Sequence, residues 1–304
     1  VALSQALYPR YSDVDTYHMA ASSIDSSIRN LVCVGADPHK IALLDNFCWC
    51  SSTEPERLWQ LKMAAKACYD YSVHFGAPFI SGKDSMFNDF KGFDSEGNPV
   101  KVSIPPTLLI SSISVMEDVA QAVSLDFKNP GDLIYLIGDT DDELGGSEYF
   151  AYRGEQERGK PYIGDSVPKV DAHHNLVTYE KVHKAIQTGL LSASISVGKG
   201  GLAVALARMS IGGGLGFSIS LAELGGTYTR SDYALFSETQ GRILVSIDPG
   251  DQSRFETIMN GVPYSLLGKV LKSKGVTIKD IEEELVKTTV DKLAKAYRAP
   301  FLHY

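Results

Sequence analysis

The densest polar run in the chain is Ile80-Ser-Gly-Lys-Asp-Ser-Met86. Glycine lets a backbone approach an anion, Lys83 supplies a point charge, Ser85 a hydroxyl, and Asp84 a carboxylate able to ligate a metal. A phosphate contact is the functional reading and a plain turn the bland one, since the upstream glycine of a P-loop is absent. Asp45 closes the apolar run 40–45. A carboxylate there either faces a ligand crevice beyond the sheet or caps the next turn, and the residues alone favour the cap. Gly198-Lys-Gly-Gly201 opens a helical stretch, so its amides and Lys199 form either an anion contact or an ordinary strand-to-helix turn. The acidic stretch 139–148 lacks the spacing of an EF-hand and reads as a solvated loop with a helix starting at Ser147. His18, His39, His74, His173 and His174 fall in no metal-binding pattern, and Cys33, Cys48, Cys50 and Cys68 read as reduced thiols without a zinc site.

Alternating strand and helix signals must position these groups. A strand over 40–45 leads to a helix announced by the capping box Thr53/Glu56 with Pro55 in its first turn, running to about His74 and stopping at Gly76-Ala-Pro78. A strand over 78–82 then enters a loop, followed by a polar hairpin around 92–99 and an apolar strand over 106–116. Charge and the Asn129-Pro130-Gly131 punctuation place a boundary in 117–132, giving an α/β domain over 1–125 and an α+β domain over 126–304. The second domain is expected to hold strands at 133–137, 217–220, 242–247 (the last central), 264–270 and 276–279. Its helices are expected at 170–189, 201–210 and 252–260, with a terminal helix over 281–297 ended by Pro300.

Composition bounds the function. With 304 residues, 44% hydrophobic, the chain is long enough for two folded domains. A net charge of −8 with no basic stripe argues against a nucleic-acid binder, though an acidic chain can still bind nucleotides locally. No apolar run approaches the roughly 20 residues that span a bilayer, and residues 1–8 lack a signal-peptide pattern, so a soluble cytoplasmic protein is expected. Starting on Val1 rather than Met, the chain reads as a segment of something longer.

At Gly35-Ala-Asp-Pro38, Ala42-Leu-Leu-Asp-Asn-Phe47, Ser81-Gly-Lys-Asp-Ser85, Asp126-Phe-Lys, Gly131-Asp-Leu and Glu143-Leu-Gly-Gly-Ser-Glu-Tyr149, the chain resembles the phosphoribosylformylglycinamidine synthases. It looks like the second of that family's two homologous synthetase halves, with matches in order over about residues 8–247. The resemblance implies an aminoimidazole-ribotide-synthetase-like fold, α/β plus α+β, whose first domain lends strands to a barrel shared between halves. It also implies ATP- and Mg²⁺-dependent chemistry: the formamide oxygen of formylglycinamide ribonucleotide is phosphorylated, then displaced by ammonia from a glutaminase. Asp45 and Gly82 match ATP contacts, Ser85 matches a substrate contact, and Lys83 stands where short family members carry a metal-binding asparagine, so that its own charge would replace part of the metal's role.

The family's second, pseudo-symmetric nucleotide site retains Asn30, but Ser26 and Ser196 replace its two acids and Lys199 adds a cation, so that site is expected to be metal-free and empty. Asp25 lies about 100° round the helix from Ser26 and is not expected to substitute. The partners implied are a first half carrying the catalytic histidine and a glutaminase; the chain alone is expected to be inactive and to form a homodimer. A non-catalytic scaffold half and a stand-alone ATP-dependent relative are the other readings.

Overall fold

In the computed structural model, which describes residues 1–302, alternation organises the first sheet. Its early strands are β1 (Ala2–Ala6), β2 (Ile41–Cys48), β3 (Phe79–Ser85), β4 (Asp89–Phe93), β5 (Pro99–Ser103) and β6 (Thr107–Ser114), with helices α1 (Thr16–Cys33) and α2 (Pro55–Phe75) between them. The order is β1-β6-β2-β3, antiparallel except for the parallel pair β2/β3, which α2 joins as a crossover. Leu43, Phe47, Leu108 and Ile110 point to one face and are buried in the core that also holds Ile24 and Ile28 of α1 and Ala64 and Ala67 of α2. β4 and β5 form a separate hairpin.

The rest of the chain contributes β7 (Leu133–Ile137), β8 (Thr140–Asp141), β9 (Leu191–Ser196), β10 (Gly216–Ser220), β11 (Gly226–Thr227), β12 (Ile243–Ile247), β13 (Tyr264–Leu271), β14 (Gly275–Asp280) and β15 (Glu283–Thr289). Its helices are α3 (Glu148–Arg158), α4 (Ala172–Gln187), α5 (Gly201–Gly213), α6 (Ser231–Phe236), α7 (Gln252–Met259) and α8 (Val290–Arg298). Seven of these strands form a sheet ordered β15-β14-β10-β13-β7-β12-β9. Alternation again splits its side chains. Tyr135, Ile137 and Val245 join the core of α1, α4 and α7, whereas Ile134, Leu136 and Leu244 pack with Leu202 and Leu206 of α5. Helix α1 touches β1, β6 and β9, so it lies between the two sheets and is buried almost all round. Its polar residues must therefore find partners inside the protein.

Several expectations change. Residues 2–6, unassigned from sequence, form edge strand β1. Asp45 does not end its strand, because β2 continues to Cys48. The Ser-Gly-Lys-Asp-Ser run is not a loop but lies within β3, held by pairing along β2. The capping box is absent: Thr53 Oγ1 bonds Ser51 Oγ, and the N-cap of α2 is Glu54, without a side-chain cap and with its carboxylate on Lys101. The expected terminal helix begins only at Val290. Ile281, at φ +51°, turns the chain into β15, whose Val286 and Thr288 pair back onto β14, and Thr289 then caps α8. β12 lies one strand from the sheet edge rather than at its centre, although its residues are all buried. The hairpin, β6, β7, α4, α7 and the Ser147 cap, whose Oγ accepts from Phe150 N, appear where expected.

Candidate functional site

The register of β2 and β3 sets Asp45 opposite Gly82, Asn46 opposite Lys83 and Cys48 opposite Ser85. Because side chains alternate, Asp45 shares the helix-facing side with Leu43 and Phe47, and Lys83 and Ser85 share the other. A Cβ on Gly82 would sit 2.5 Å from Asp45 Oδ1 and 3.1 Å from its Cγ, so the carboxylate occupies the space a side chain would need. Asp45 accepts the Lys83 amide at 3.3 Å. Partial burial pushes its carboxyl above the usual carboxylate range; the Lys83 amide opposes that shift and the Asp84 charge adds to it. On the other face Lys83 Nζ donates to Ser85 Oγ at 2.5 Å, and Asn88 Nδ2 holds the Ser85 carbonyl at 2.8 Å. Since β3 is an edge strand, one ligand can reach both faces by wrapping round it and can use its outward backbone groups. The structure thus brings Asp45, Gly82, Lys83, Asp84 and Ser85 to one edge.

Asn30 and Lys199 lie elsewhere. They line a cavity of about 260 Å³ with Gln5, Tyr8, Ser26, Ser196 and Arg208, beside β1 at the opposite edge of the first sheet. Three strand spacings separate the two edges, roughly 14 Å. Behind this cavity runs a polar network that the sequence reading missed. Arg29, fully buried, is ion-paired with Asp25, whose Oδ1 accepts from Tyr179 Oη at 2.5 Å and Asn175 Nδ2 at 2.9 Å. Glu238, also buried, accepts from Tyr11 Oη at 2.6 Å and from the Glu148 and Gly200 amides, each at 2.9 Å, so one carboxylate serves the starts of α3 and α5. Burial holds Glu238 above its usual range despite these bonds. Arg242, equally buried, is brought down to about 10 by desolvation, with repulsion from Arg29 adding to the shift. The readable signal for part of this network was the Asp25/Arg29 pair at helical i,i+4 spacing. The acidic stretch 139–148 forms no metal cluster among the described residues, and none of the described helices is long and apolar enough to cross a membrane.

Residues 129–281 match the AIR synthase related protein C-terminal domain, and residues 1–103 match the N-terminal domain of the same family. The chain belongs to the AIR synthase related protein family. As such a member it is 32% identical over 303 residues to phosphoribosylformylglycinamidine synthase subunit PurL of Methanocaldococcus jannaschii, with 99% of this chain and 39% of that protein covered. It is 36% identical over 243 residues to the same subunit of Gloeobacter violaceus, with 80% of this chain and 29% of that protein covered. The chain therefore spans well under half the length of these relatives. Thermotoga maritima PurL complexed with FGAR has the same fold, with TM-score 0.76 at 18% identity, over 96% of this chain and 45% of that one. Escherichia coli HypE, a hydrogenase maturation protein, superposes with TM-score 0.64 at 14% identity, covering 95% of this chain and 84% of HypE. The aminoimidazole-ribotide-synthetase-like α/β fold expected from sequence is the one found.

Proposed function

We propose that this chain is a synthetase half of a phosphoribosylformylglycinamidine synthase and lends Asp45, Gly82, Lys83 and Ser85 to an ATP and substrate site completed by another half. The observation that carries this reading is the Asp45/Gly82 pair on adjacent strands. A carboxylate fills the place of a missing Cβ on an open edge, so backbone and carboxylate present one continuous polar surface. Lys83 and Ser85, across the same edge, supply a charge and a hydroxyl for phosphate or substrate oxygen. The chemistry requires no nucleophile from this chain. Phosphorylation turns a poor leaving group, the amide oxygen, into a good one, and ammonia then displaces phosphate, so what the half contributes is binding and orientation. Asp45 and Asp84 fall on the same face of adjacent strands, and would supply the one or two carboxylates that Mg²⁺ takes together with substrate phosphates. When bound, Mg²⁺ would neutralise phosphate charge.

The domain division at 125/126 is supported by the first sheet lying within residues 2–114 and the seven-stranded sheet within 133–289. The first sheet also has free edges at β1 and β3 and an exposed Leu3 on its outer face. Those features support pairing with a first half, or with a second copy when the chain is alone. The chain alone is then inactive, and ammonia comes from a separate glutaminase. The test is calorimetric titration with Mg²⁺-ATP and with formylglycinamide ribonucleotide, using the chain alone and mixed with a matching first half. Binding that appears in the mixture and is weakened by Asp45→Ala supports the composite site; binding untouched by Asp45→Ala and Ser85→Ala replaces it with a scaffold role.

A further inference from the structure

The family resemblance places a second metal-nucleotide site at the cavity bearing Asn30 and Lys199, and the residues present do not fit a metal there. Arg29 Nε donates to Ser196 Oγ at 2.9 Å, and Nη2 donates to Ser26 Oγ at 2.9 Å, to Gln240 Oε1 at 3.1 Å and to the Val197 carbonyl at 3.1 Å. Ser26 and Ser196 are the two positions where the family carries acids. Ser26 Oγ is further engaged by Tyr8 Oη at 2.8 Å and by Gln240 Oε1 at 2.9 Å, so its hydrogen-bonding capacity is spent. Asp25 cannot turn toward the cavity, because Tyr179, Asn175 and Arg29 hold it and it is fully buried. Among the described residues no carboxylate lines the cavity, whereas Lys199 and Arg208 do.

We infer that the Arg29 guanidinium is a resident cation spanning the two serines, closing this second site to divalent metal and joining α1 to the β9 end without any bound ion. Three features make the exchange self-consistent. A guanidinium carries its charge in a planar fork whose donors suit neutral hydroxyl and carbonyl acceptors, as Ser26, Ser196, Gln240 and Val197 provide. Its charge is balanced by Asp25 on the side away from the cavity, so no carboxylate is left over to attract a metal. A divalent ion placed among the serines would meet Arg29 and Lys199 as like charges with no anionic ligand to offset them. The same bonds tie helix α1 of the first half of the fold to the strand and turn around Ser196–Gln240.

The inference rests on the family reading only for the expectation of a metal at this place, and its failure is read at different residues from the Asp45 edge. The test uses Mn²⁺ as a paramagnetic probe, added with and without ADP to the whole chain carrying Asp45→Ala and Asp84→Ala, so that the first edge is silent. Amide signals of Asn30, Gly198 and Lys199 should keep their linewidths in this background. Their selective broadening by Mn²⁺ would overturn the inference. A converse series installs the acids. Ser26→Glu with Ser196→Asp should still fail to bind Mn²⁺, because Arg29 pairs with the new carboxylates. Adding Arg29→Gln should raise affinity on the order of 100-fold or more. If the two-acid variant binds Mn²⁺ as tightly as the three-substitution one, Arg29 is not what excludes the metal. The linewidth experiment needs no change at Arg29, so broadening there overturns the inference even if the three-substitution variant fails to fold.

Discussion

Replacing Gly82 by alanine tests the steric pairing at the candidate site without any ligand. The backbone conformation of Gly82 is one an L-residue adopts, because its φ lies outside the left-handed region. With no neighbour in the way, Gly→Ala in a strand would stabilise by about 0.5–1 kcal/mol, through reduced freedom of the unfolded chain. The new Cβ, however, would lie 2.5 Å from Asp45 Oδ1, about 0.9 Å inside ordinary contact, and 3.1 Å from both Cγ and Oδ2. Asp45 can escape only by rotating off the Lys83 amide. That gives up a long hydrogen bond to a carboxylate worth about 1 kcal/mol and adds about 0.5–1 kcal/mol of off-rotamer cost. The losses outweigh the gain, so Gly82→Ala should destabilise the chain by about 0.5–1.5 kcal/mol. In an Asp45→Ala background the obstruction is gone, and the same substitution should stabilise by about 0.5–1 kcal/mol. Denaturant unfolding of the four proteins of this double-mutant cycle measures a coupling expected at about 1.5–2 kcal/mol. A coupling below about 0.3 kcal/mol, with Gly82→Ala equally costly in both backgrounds, would refute the claim that the carboxylate is what demands glycine.

Gly145→Ala should be far more severe, more than about 3 kcal/mol by thermal or denaturant unfolding, because its Cβ would lie 1.6 Å from the Ser166 carbonyl oxygen, part of a backbone that cannot swing aside. Titration with a thiol-reactive chromophore should find one fast cysteine, the half-buried Cys48; burial holds Cys33 and Cys68 at about 12, and Cys50 is also buried and shifted upward. Loss of Cys48 labelling as the chain is concentrated, or on adding a first half, would locate pairing on the outer face of the first sheet. Glu238→Gln should change how stability varies with pH. The Glu238 carboxyl is raised in the fold, so the folded state holds its proton where the unfolded chain has lost it. Wild-type stability relative to Glu238→Gln should therefore fall as pH rises from about 4.5 through the raised value, and melting temperatures measured across pH 4.5–7.5 would show that trend or its absence.

The legible part of the site was its edge cluster. Ser81-Gly-Lys-Asp-Ser85 stood out because glycine, lysine and hydroxyl residues together suit phosphate, and the resemblance supplied Asp45 as their neighbour. Placing that cluster in a loop failed because polar composition mimics turn chemistry; pairing along β2 overrides it, and an edge strand can carry polar residues on both faces. The terminal helix failed in the same manner. Glu282-Glu-Glu-Leu-Val-Lys287 has helical composition, yet β14 offers it a ladder. Residues 2–6 went unread because a short half-exposed edge strand has too weak an alternation to register.

What the sequence by itself determined about this protein is local or compositional. Hydrophobic periods located most strands and helices, and the motifs named the family. What only the tertiary structure decided is which distant groups meet. Asp45 fills the void of Gly82, Glu238 serves the starts of two helices, and Arg29 reaches across from α1 to Ser196 and Gln240. The reason is physical: a buried charge must be paired wherever it lands, and its partner is chosen by the packing of two sheets around one helix, at sequence separations no periodicity can report.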